Sequence, residues 1–256
     1  MILQDKVAIV TGGASGLGEA TVRLYVELGI KVSIFDMNNE RGAAIADELG
    51  ESVIYNSVNV TDEESVEAAI ANTVETFGDI HICNNYAGIG DARKTVSKGA
   101  PFPLDTFQKV INVNLVGTFN VLRLVATQMT KQAPIDENNG RGVIINTASI
   151  AAYEGQMGQA AYSASKSGIV GMTLPIARDL SSYGIRVNTI VPGLIHTPLF
   201  DSLPEAAVNS LSASVLYPQR LGKPSEIAHL AKFIAENDYI NGECIRLDGG
   251  IRMQPK

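Results

Sequence analysis

The chain has 256 residues, of which 45% are hydrophobic, and a formal net charge of −7 at pH 7. This length is enough for one large core, and the negative charge argues against general nucleic-acid binding. No run approaches the ~18 uninterrupted apolar residues of a membrane span, so we predict no membrane association. The N-terminus leads directly into an apolar run without a signal-peptide pattern, which predicts a cytoplasmic protein.

Cysteines and histidines give no metal or disulfide pattern. Cys83 and Cys244 each lie in a short apolar run, which predicts reduced thiols rather than a disulfide framework. His81, His196 and His229 lack the spacing of metal ligands, so each is predicted to be structural or solvated. We predict no metal site.

Apolar runs alternate with helical stretches along the chain. The long stretch 104–129 is predicted to be one continuous helix, and Thr61 to begin another with a capping box. Strands that alternate with helices form βαβ units around a parallel sheet. We therefore predict an α/β fold with a single domain, 1–256, and a doubly wound parallel sheet of about seven strands with helices on both faces. The predicted strands are 6–10, 31–35, 52–56, 80–84, 142–148, 185–191 and 243–247.

A glycine-rich stretch, Thr11–Gly18, follows the first predicted strand and opens a helix. Glycine lets the backbone turn sharply and approach a pyrophosphate, and the helix N-terminus supplies amide donors. Such a run alone is weak evidence, but its position between a strand and a helix is the expected context. The stretch therefore predicts a dinucleotide site.

Asp36 ends the second predicted strand, 18 residues after Gly18 (36 − 18 = 18). This spacing is close to the ~20 residues expected for the carboxylate that binds an adenosine ribose diol. Because a carboxylate would repel a 2′-phosphate, Asp36 favours NAD over NADP. The alternative is a turn or helix-cap aspartate.

Tyr162 and Lys166 are four residues apart, which on a helix places both side chains on one face. A phenol has a pKa of about 10, and a nearby ammonium lowers it, so this pair can serve as a general acid/base. Ser149 ends the strand 142–148, at the edge where open α/β sheets place ligands. Taken alone, the Tyr–Lys pair favours a packed helix surface, because such pairs are common.

Three longer segments interrupt the alternation: 91–103, 133–142 and 193–223. A long loop at the carboxyl edge of such a sheet is often a substrate lid. We predict that role for 193–223, with a cofactor-binding half over about 1–148 and a catalytic and substrate half over about 149–256.

Several motifs occur in one order and at matching spacings across essentially the whole chain. Together they resemble the short-chain dehydrogenase/reductase family, which implies a Rossmann-type fold and hydride transfer at a nicotinamide. By this resemblance, Tyr162 is the acid/base, Lys166 holds the nicotinamide ribose, Ser149 binds the reacting oxygen and Asn114 anchors a proton-relaying water. The motifs are Thr11–Gly18, Asn85–Gly88, Asn114, Ser149, Tyr162–Lys166 and Pro192–Gly193.

The stretches 140–149, 153–156, 168–179 and 247–255 resemble more closely those members of the family that act on 3-hydroxyacyl-CoA thioesters in reactions of the fatty-acid β-oxidation type. This implies an acyl-CoA substrate, NAD and a homotetramer. The implied substrate contacts are Ser149 and Tyr162. The implied cofactor contacts are Gly12, Ser15, Gly16, Leu17, Gly18, Asp36, Asn59, Val60, Asn85, Tyr86, Ala87, Gly88, Tyr162, Lys166, Pro192, Gly193, Ile195 and Thr197.

Two residues depart from the family pattern. Asn59 stands where this group usually has an aspartate facing the adenine amine, although an amide oxygen can also accept that bond. Tyr86 replaces a smaller residue in the Asn-x-Ala-Gly turn, where backbone groups matter most.

Substrate choice stays open between two enzyme classes and one non-enzymatic class. The alternatives are a hydroxysteroid or other secondary-alcohol dehydrogenase of the same family, and a non-catalytic NAD-binding scaffold on the same fold. An acyl-CoA site needs local positive charge, which Arg93, Lys94 and Lys98 supply in the loop 91–103. The alternative for these three residues is a solvated surface.

Overall fold

A computed structural model describes residues 1–198 and 204–255. One sheet contains seven parallel strands in the order β3-β2-β1-β4-β7-β8-β9, and β5 pairs with β6 in a short antiparallel hairpin. The predicted α/β fold with its parallel seven-stranded sheet is therefore confirmed. The strands are β1 (Val7–Thr11), β2 (Lys31–Asp36), β3 (Val53–Ser57), β4 (Ile82–Asn85), β5 (Val96–Ser97), β6 (Ala100–Pro101), β7 (Gly142–Thr147), β8 (Ile185–Pro192) and β9 (Cys244–Leu247).

Helices connect the strands and cover both faces of the sheet. In the described residues the α-helices are α1 (Gly16–Glu27), α2 (Asn39–Leu49), α3 (Glu63–Phe77), α4 (Leu104–Ile111), α5 (Thr118–Met129), α6 (Ala160–Leu180), α7 (Glu205–Ala213) and α8 (Pro224–Glu236).

Two apolar cores lie on opposite faces of the sheet, because successive side chains of a strand point to opposite faces. Val10 of β1 packs in one core with Val22 of α1 and Ile234 of α8. Its neighbour Ile9 packs in the other core with Val125 of α5. Each of these five side chains is fully buried, which is why the central strands are continuous apolar runs in the sequence.

The predicted continuous helix 104–129 is interrupted. Between α4 and α5 the chain makes a π-helical turn over Asn112–Gly117, which is wider than an α-helical turn. Asn114 in this turn is fully buried and bonds through its amide to the backbone of Ile89. A polar side chain that must meet a loop inside the protein is the physical reason for the interruption.

The same stretch bears on the prediction of no membrane span. Within the described residues, Leu104–Met129 is long and apolar enough to cross a membrane, with a mean hydropathy of 1.4. Half of its most apolar window (50%) is buried inside the protein, as in a core helix. The sequence criterion of uninterrupted apolar residues missed this stretch because polar residues such as Arg123 break it.

The N-cap of helix α3 lies one residue later than predicted, at Asp62 instead of Thr61. The Asp62 carboxylate accepts the N–H of Ser65 at 3.3 Å, so Asp62 is the cap. Thr61 instead donates its N–H and its hydroxyl to the amide oxygen of Asn59, at 3.1 and 2.8 Å. Aspartate and threonine are both good caps, and here the carboxylate takes the position.

Candidate active site

A cavity of about 630 Å³ opens at the carboxyl edge of the sheet. This is the edge at which open α/β sheets bind ligands. Its walls come from the loops after β4, β7, β8 and β9, together with the first turn of α1 and the first two turns of α6. The predicted site residues in these walls are Leu17, Tyr86, Gly88, Ser149, Tyr162, Lys166, Pro192, Gly193, Ile195 and Thr197.

The glycine-rich stretch packs too tightly for side chains. Gly12 has a φ of +65°, and a Cβ there would lie 2.9 Å from the backbone nitrogen of Ala87. A Cβ on Gly18 would collide with the carbonyl oxygen of Gly12. The hydroxyl of Thr11 accepts the N–H groups of Tyr86 and Ala87, each at 3.1 Å. Glycine is therefore required to bring the turn after β4 against the turn after β1.

Backbone amides hold the Asp36 carboxylate at the rim of the glycine-rich stretch. Its Oδ2 accepts the N–H of Ala14 at 3.0 Å, and its Oδ1 accepts that of Asn38 at 2.9 Å. Each carboxylate oxygen can accept two hydrogen bonds, so acceptor positions remain on both oxygens. The carboxylate is fixed in place and can still accept hydroxyl groups.

Asn59 and Val60 follow β3. The amide oxygen of Asn59 already accepts two hydrogen bonds from Thr61, and these use both of its acceptor positions. The prediction that this oxygen accepts an adenine amine would therefore require displacement of Thr61. Val60 is 7% exposed, and its carbonyl accepts the Asn120 amide at 3.0 Å.

Ser149, Tyr162 and Lys166 all reach the cavity. Lys166 is 5% exposed, and its Nζ donates to the carbonyl oxygen of Thr147 at 2.8 Å. The same Nζ lies 5.7 Å from the ring centroid of Tyr162, so the two side chains share one face of α6 as predicted. The hydroxyl of Ser149 accepts the N–H of Ala151 at 3.1 Å.

Burial dominates the acid–base properties of this group. It raises the pKa of Tyr162, and a hydrogen bond with Ser149 opposes that rise. It also lowers the pKa of Lys166 to about 8. The prediction that Lys166 brings the Tyr162 pKa below its ordinary value is wrong: burial raises this pKa, and the Lys166 ammonium bonds to the Thr147 carbonyl.

Asn114 links the turn after β4 to helix α6. Its Oδ1 accepts the N–H of Ile89 at 2.8 Å, and its Nδ2 donates to the carbonyl of Ile89 at 2.9 Å. The same Nδ2 donates to the hydroxyl of Ser165 at 3.0 Å, and Ser165 donates to the carbonyl of Tyr162 at 2.7 Å. Asn114 is therefore connected through Ser165 to the backbone of Tyr162.

Known proteins share this arrangement. A family model described as short chain dehydrogenase matches residues 6–207. The chain belongs to the short-chain dehydrogenase/reductase family.

Two relatives and one crystal structure illustrate the similarity. The chain is 55% identical over 255 residues to 3-hydroxyacyl-CoA dehydrogenase type-2 of Homo sapiens, which covers 99% of this chain and 97% of that protein. It is 37% identical over 257 residues to a 3-oxoacyl-[acyl-carrier-protein] reductase of Thermotoga maritima, covering 98% and 99%. The crystal structure of 3-hydroxyacyl-CoA dehydrogenase type-2 from Mycobacterium avium superposes with a TM-score of 0.94 at 47% identity, covering 99% of both chains.

Not every predicted site residue of this short-chain dehydrogenase/reductase lines the cavity. Asn85 is buried behind it, where its amide donates to Asn146 at 3.0 Å. Of the predicted lid 193–223, residues 199–203 lie outside the described residues, and Leu194 is a further cavity residue. The predicted residues that do not line the cavity are Gly12, Ser15, Gly16, Gly18, Asp36, Asn59, Val60, Asn85, Ala87 and Asn114.

The structure adds residues that the sequence did not single out. Thr11 and Thr147 both end strands at the ligand edge, so the rule that indicated Ser149 could have found them. Ser165 lies within the Tyr-Ser-Ala-Ser-Lys motif and holds Asn114. Met253 lines the cavity from the far end of the chain and had no local signal.

Proposed function

We propose that this chain interconverts 3-hydroxyacyl-CoA and 3-oxoacyl-CoA with NAD(H). One observation carries the proposal: Tyr162 lines the same cavity as Ser149 and shares a helix face with buried Lys166, and the cavity has room for a substrate. The choice of thioester follows relatives at 50% and 55% identity that are named 3-hydroxyacyl-CoA dehydrogenases.

Oxidation removes a proton from the substrate hydroxyl and a hydride from its carbon. The Ser149 hydroxyl holds the reacting oxygen, and ionised Tyr162 takes the hydroxyl proton, so that a C=O bond forms. NAD supplies the hydride acceptor when it is bound. Lys166 bears positive charge near neutrality, because its pKa of about 8 lies above that range, and this charge stabilises the phenolate when it forms, whereas burial keeps the pKa of Tyr162 above its ordinary value. In the reverse direction Tyr162 returns the proton to the carbonyl oxygen.

The residues around the glycine-rich stretch fit a dinucleotide. Glycine at Gly12 and Gly18 lets the stretch fold tightly on itself and against the turn after β4, and α1 begins directly behind it with its amide donors. The Asp36 carboxylate has acceptor positions for two ribose hydroxyls and would repel a 2′-phosphate. We therefore propose NAD rather than NADP.

The loop 91–103 is the proposed site for the CoA phosphates. Its first residues, Asp91 and Ala92, line the cavity, and the N–H of Arg93 donates to the carbonyl of Gly158 at 2.9 Å. This anchor supports a position at the cavity mouth for the exposed side chains of the loop. The basic residues among them are Arg93, Lys94 and Lys98.

We further propose a cytoplasmic homotetramer that acts in fatty-acid metabolism without membrane association. Large apolar side chains lie exposed on several helices: Phe119 on α5 is 45% exposed, Leu174 on α6 is 45% exposed and Phe233 on α8 is 52% exposed. Exposed apolar patches of this kind support contact with other subunits. Light scattering measures the mass, and a monomer would contradict the proposal.

The test is the rate of NADH consumption with acetoacetyl-CoA, compared with a steroid ketone and with a small uncharged ketone. We expect the thioester to give the highest kcat/KM, and NADPH to support a lower rate than NADH. A higher kcat/KM with the steroid ketone would indicate the hydroxysteroid alternative. No turnover of any ketone would indicate the NAD-binding scaffold.

A further inference from the structure

The segment 248–255 folds back against residues 153–157. In the sequence, residues 153–157 lie between Ser149 and Tyr162. The N–H of Met253 donates to Oε2 of Glu154 at 3.1 Å, across 99 residues of sequence. Two more contacts of this kind are Met157 N to Pro255 O at 3.0 Å and Gln156 Nε2 to Gln254 O at 2.9 Å.

Four charged residues, which we call the tail clamp, hold this segment in place: Glu154, Arg246, Asp248 and Arg252. Arg246 bonds to Glu154 at 2.8 Å and to Asp248 at 2.7 Å. Arg252 lies 3.3 Å from each of the same two carboxylates. The carboxylate side chains are only 20% and 9% exposed, so salt screens these pairs less than surface pairs.

The clamped segment presents Met253 to the cavity. Met253 is half-buried, lines the cavity together with Ser149 and Tyr162, and packs against the apolar cluster that contains Ile150 and Val191. A methionine side chain is unbranched and apolar, and it fills irregular space well. An alkyl chain in this cavity would therefore meet a flexible apolar wall.

We propose that Met253 determines acyl-chain specificity and that Glu154, through the tail clamp, is its positioning residue. The inference rests on the proposed acyl-CoA activity, and it adds that the Met253 side chain makes the rate depend on the length of the acyl chain. One methylene in an apolar pocket changes discrimination by about 10- to 200-fold. A change in the volume of this wall should therefore affect a long acyl chain and leave a four-carbon chain nearly unaffected.

The first experiment measures kcat/KM for 3-oxooctanoyl-CoA and for acetoacetyl-CoA and takes their ratio. We expect Met253→Ala to raise this ratio about tenfold and Met253→Phe to lower it about tenfold. Gln254→Ala is the matched control, because its exposed side chain makes no hydrogen bond within the described residues, and its ratio should equal that of the parent. Ratios within twofold of the parent for both Met253 variants would overturn the proposal.

The second experiment uses Glu154→Gln, which keeps the size of the side chain and removes its charge. We expect the KM for 3-oxooctanoyl-CoA to rise, because the wall that contacts the acyl chain is no longer held in place. The kcat for acetoacetyl-CoA should stay within about twofold of the parent. Because both changes act on the same wall, the double variant with Met253→Ala should change the ratio little beyond Met253→Ala alone. Equal losses of kcat on both substrates would assign Glu154 a purely structural role and overturn this part.

Failure of the proposed function gives a different result. In that case the parent enzyme reduces neither thioester, and both proposals fall. Failure of the inference alone leaves the parent active on both thioesters, with a ratio that the Met253 variants do not move.

Discussion

The nucleotide-facing half of the site and its substrate-facing half are held together in different ways. Around the glycine-rich stretch, Asp36 bonds to Ala14 across 22 residues, and both partners belong to adjoining strand-to-helix turns. On the substrate side, Glu154 bonds to Arg246 across 92 residues and to Met253 across 99. The first half is built from backbone contacts between turns at one edge of the sheet, whereas the second depends on charged side chains that are more than 90 residues apart in the sequence.

The largest expected effect separates chemistry from nucleotide binding. Tyr162→Phe removes the only group proposed to exchange a proton with substrate, so kcat should fall by about 10²- to 10⁴-fold. NAD affinity, measured by fluorescence or calorimetry, should change little because Asp36 and the glycine-rich stretch are intact. Turnover within a few-fold of the parent would remove Tyr162 from its proposed role.

The next effect concerns the stability in acid of β1 and β4, the two strands whose other ends carry the nucleotide-facing turns. His81 is 7% exposed, its Nδ1 accepts the N–H of Val7 at 3.1 Å, and burial lowers its pKa to about 4. The folded state therefore binds fewer protons than the unfolded state between pH 6.5 and pH 4. The free energy of unfolding should fall by up to about 3 kcal/mol as the pH drops through that window.

Urea unfolding at several pH values measures this dependence. His81→Gln should flatten it over the same window. The matched control is His229→Gln, since His229 is exposed on α8 and its replacement should leave the slope unchanged. An unchanged slope in His81→Gln would show that other groups cause the acid instability.

A smaller effect tests cofactor choice. Asp36→Ala should weaken NAD(H) by about 10- to 100-fold, because hydrogen bonds to a charged group contribute about 1.5–3 kcal/mol. The preference for NADH over NADPH should narrow in the same variant, since the carboxylate no longer repels a 2′-phosphate. Steady-state KM values for both cofactors measure it, and a parent that prefers NADPH would contradict the assignment.

The smallest effect tests the substrate side. Replacing Arg93, Lys94 and Lys98 together by glutamine should raise KM for acetoacetyl-CoA about three- to tenfold, because each exposed charge contributes only about 0.2–0.5 kcal/mol. The salt dependence of KM should flatten, whereas turnover of a small uncharged ketone should not change. Lys131→Gln, which removes an exposed charge after α5, is the control. Equal losses on both substrates would contradict the phosphate contact.

The sequence predicted what depends on local spacing. The four-residue interval between Tyr162 and Lys166 and the position of Asp36 at the end of β2 follow from regular helix and strand geometry. The sequence did not predict properties that depend on the three-dimensional environment of a side chain, such as its pKa or its hydrogen-bond partners. The direction of the Tyr162 pKa is set by burial, and the bonds of the Asn59 amide are set by Thr61, which also lost its predicted capping role to Asp62.

Met253 shows the limit most clearly. Its place in the cavity depends on ion pairs between residues more than 90 positions apart, such as Glu154 and Arg246 at |i − j| = 92. No periodicity or motif near the C-terminus indicates that contact. Long-range pairing has to be seen in three dimensions.

The π-helical turn Asn112–Gly117 makes the effect of a deletion depend on where in this part of the chain it falls. A π-helical turn holds one residue more than an α-helical turn, so removal of one residue there would restore α-helical winding, whereas removal of one residue at the start of α5 would rotate the rest of α5 by about 100° about its axis. Val121, Val125 and Met129, each fully buried, would leave the core together. A one-residue deletion in the exposed β5–β6 hairpin would shift no such set, so tolerance to insertions and deletions should differ sharply between these two nearby segments.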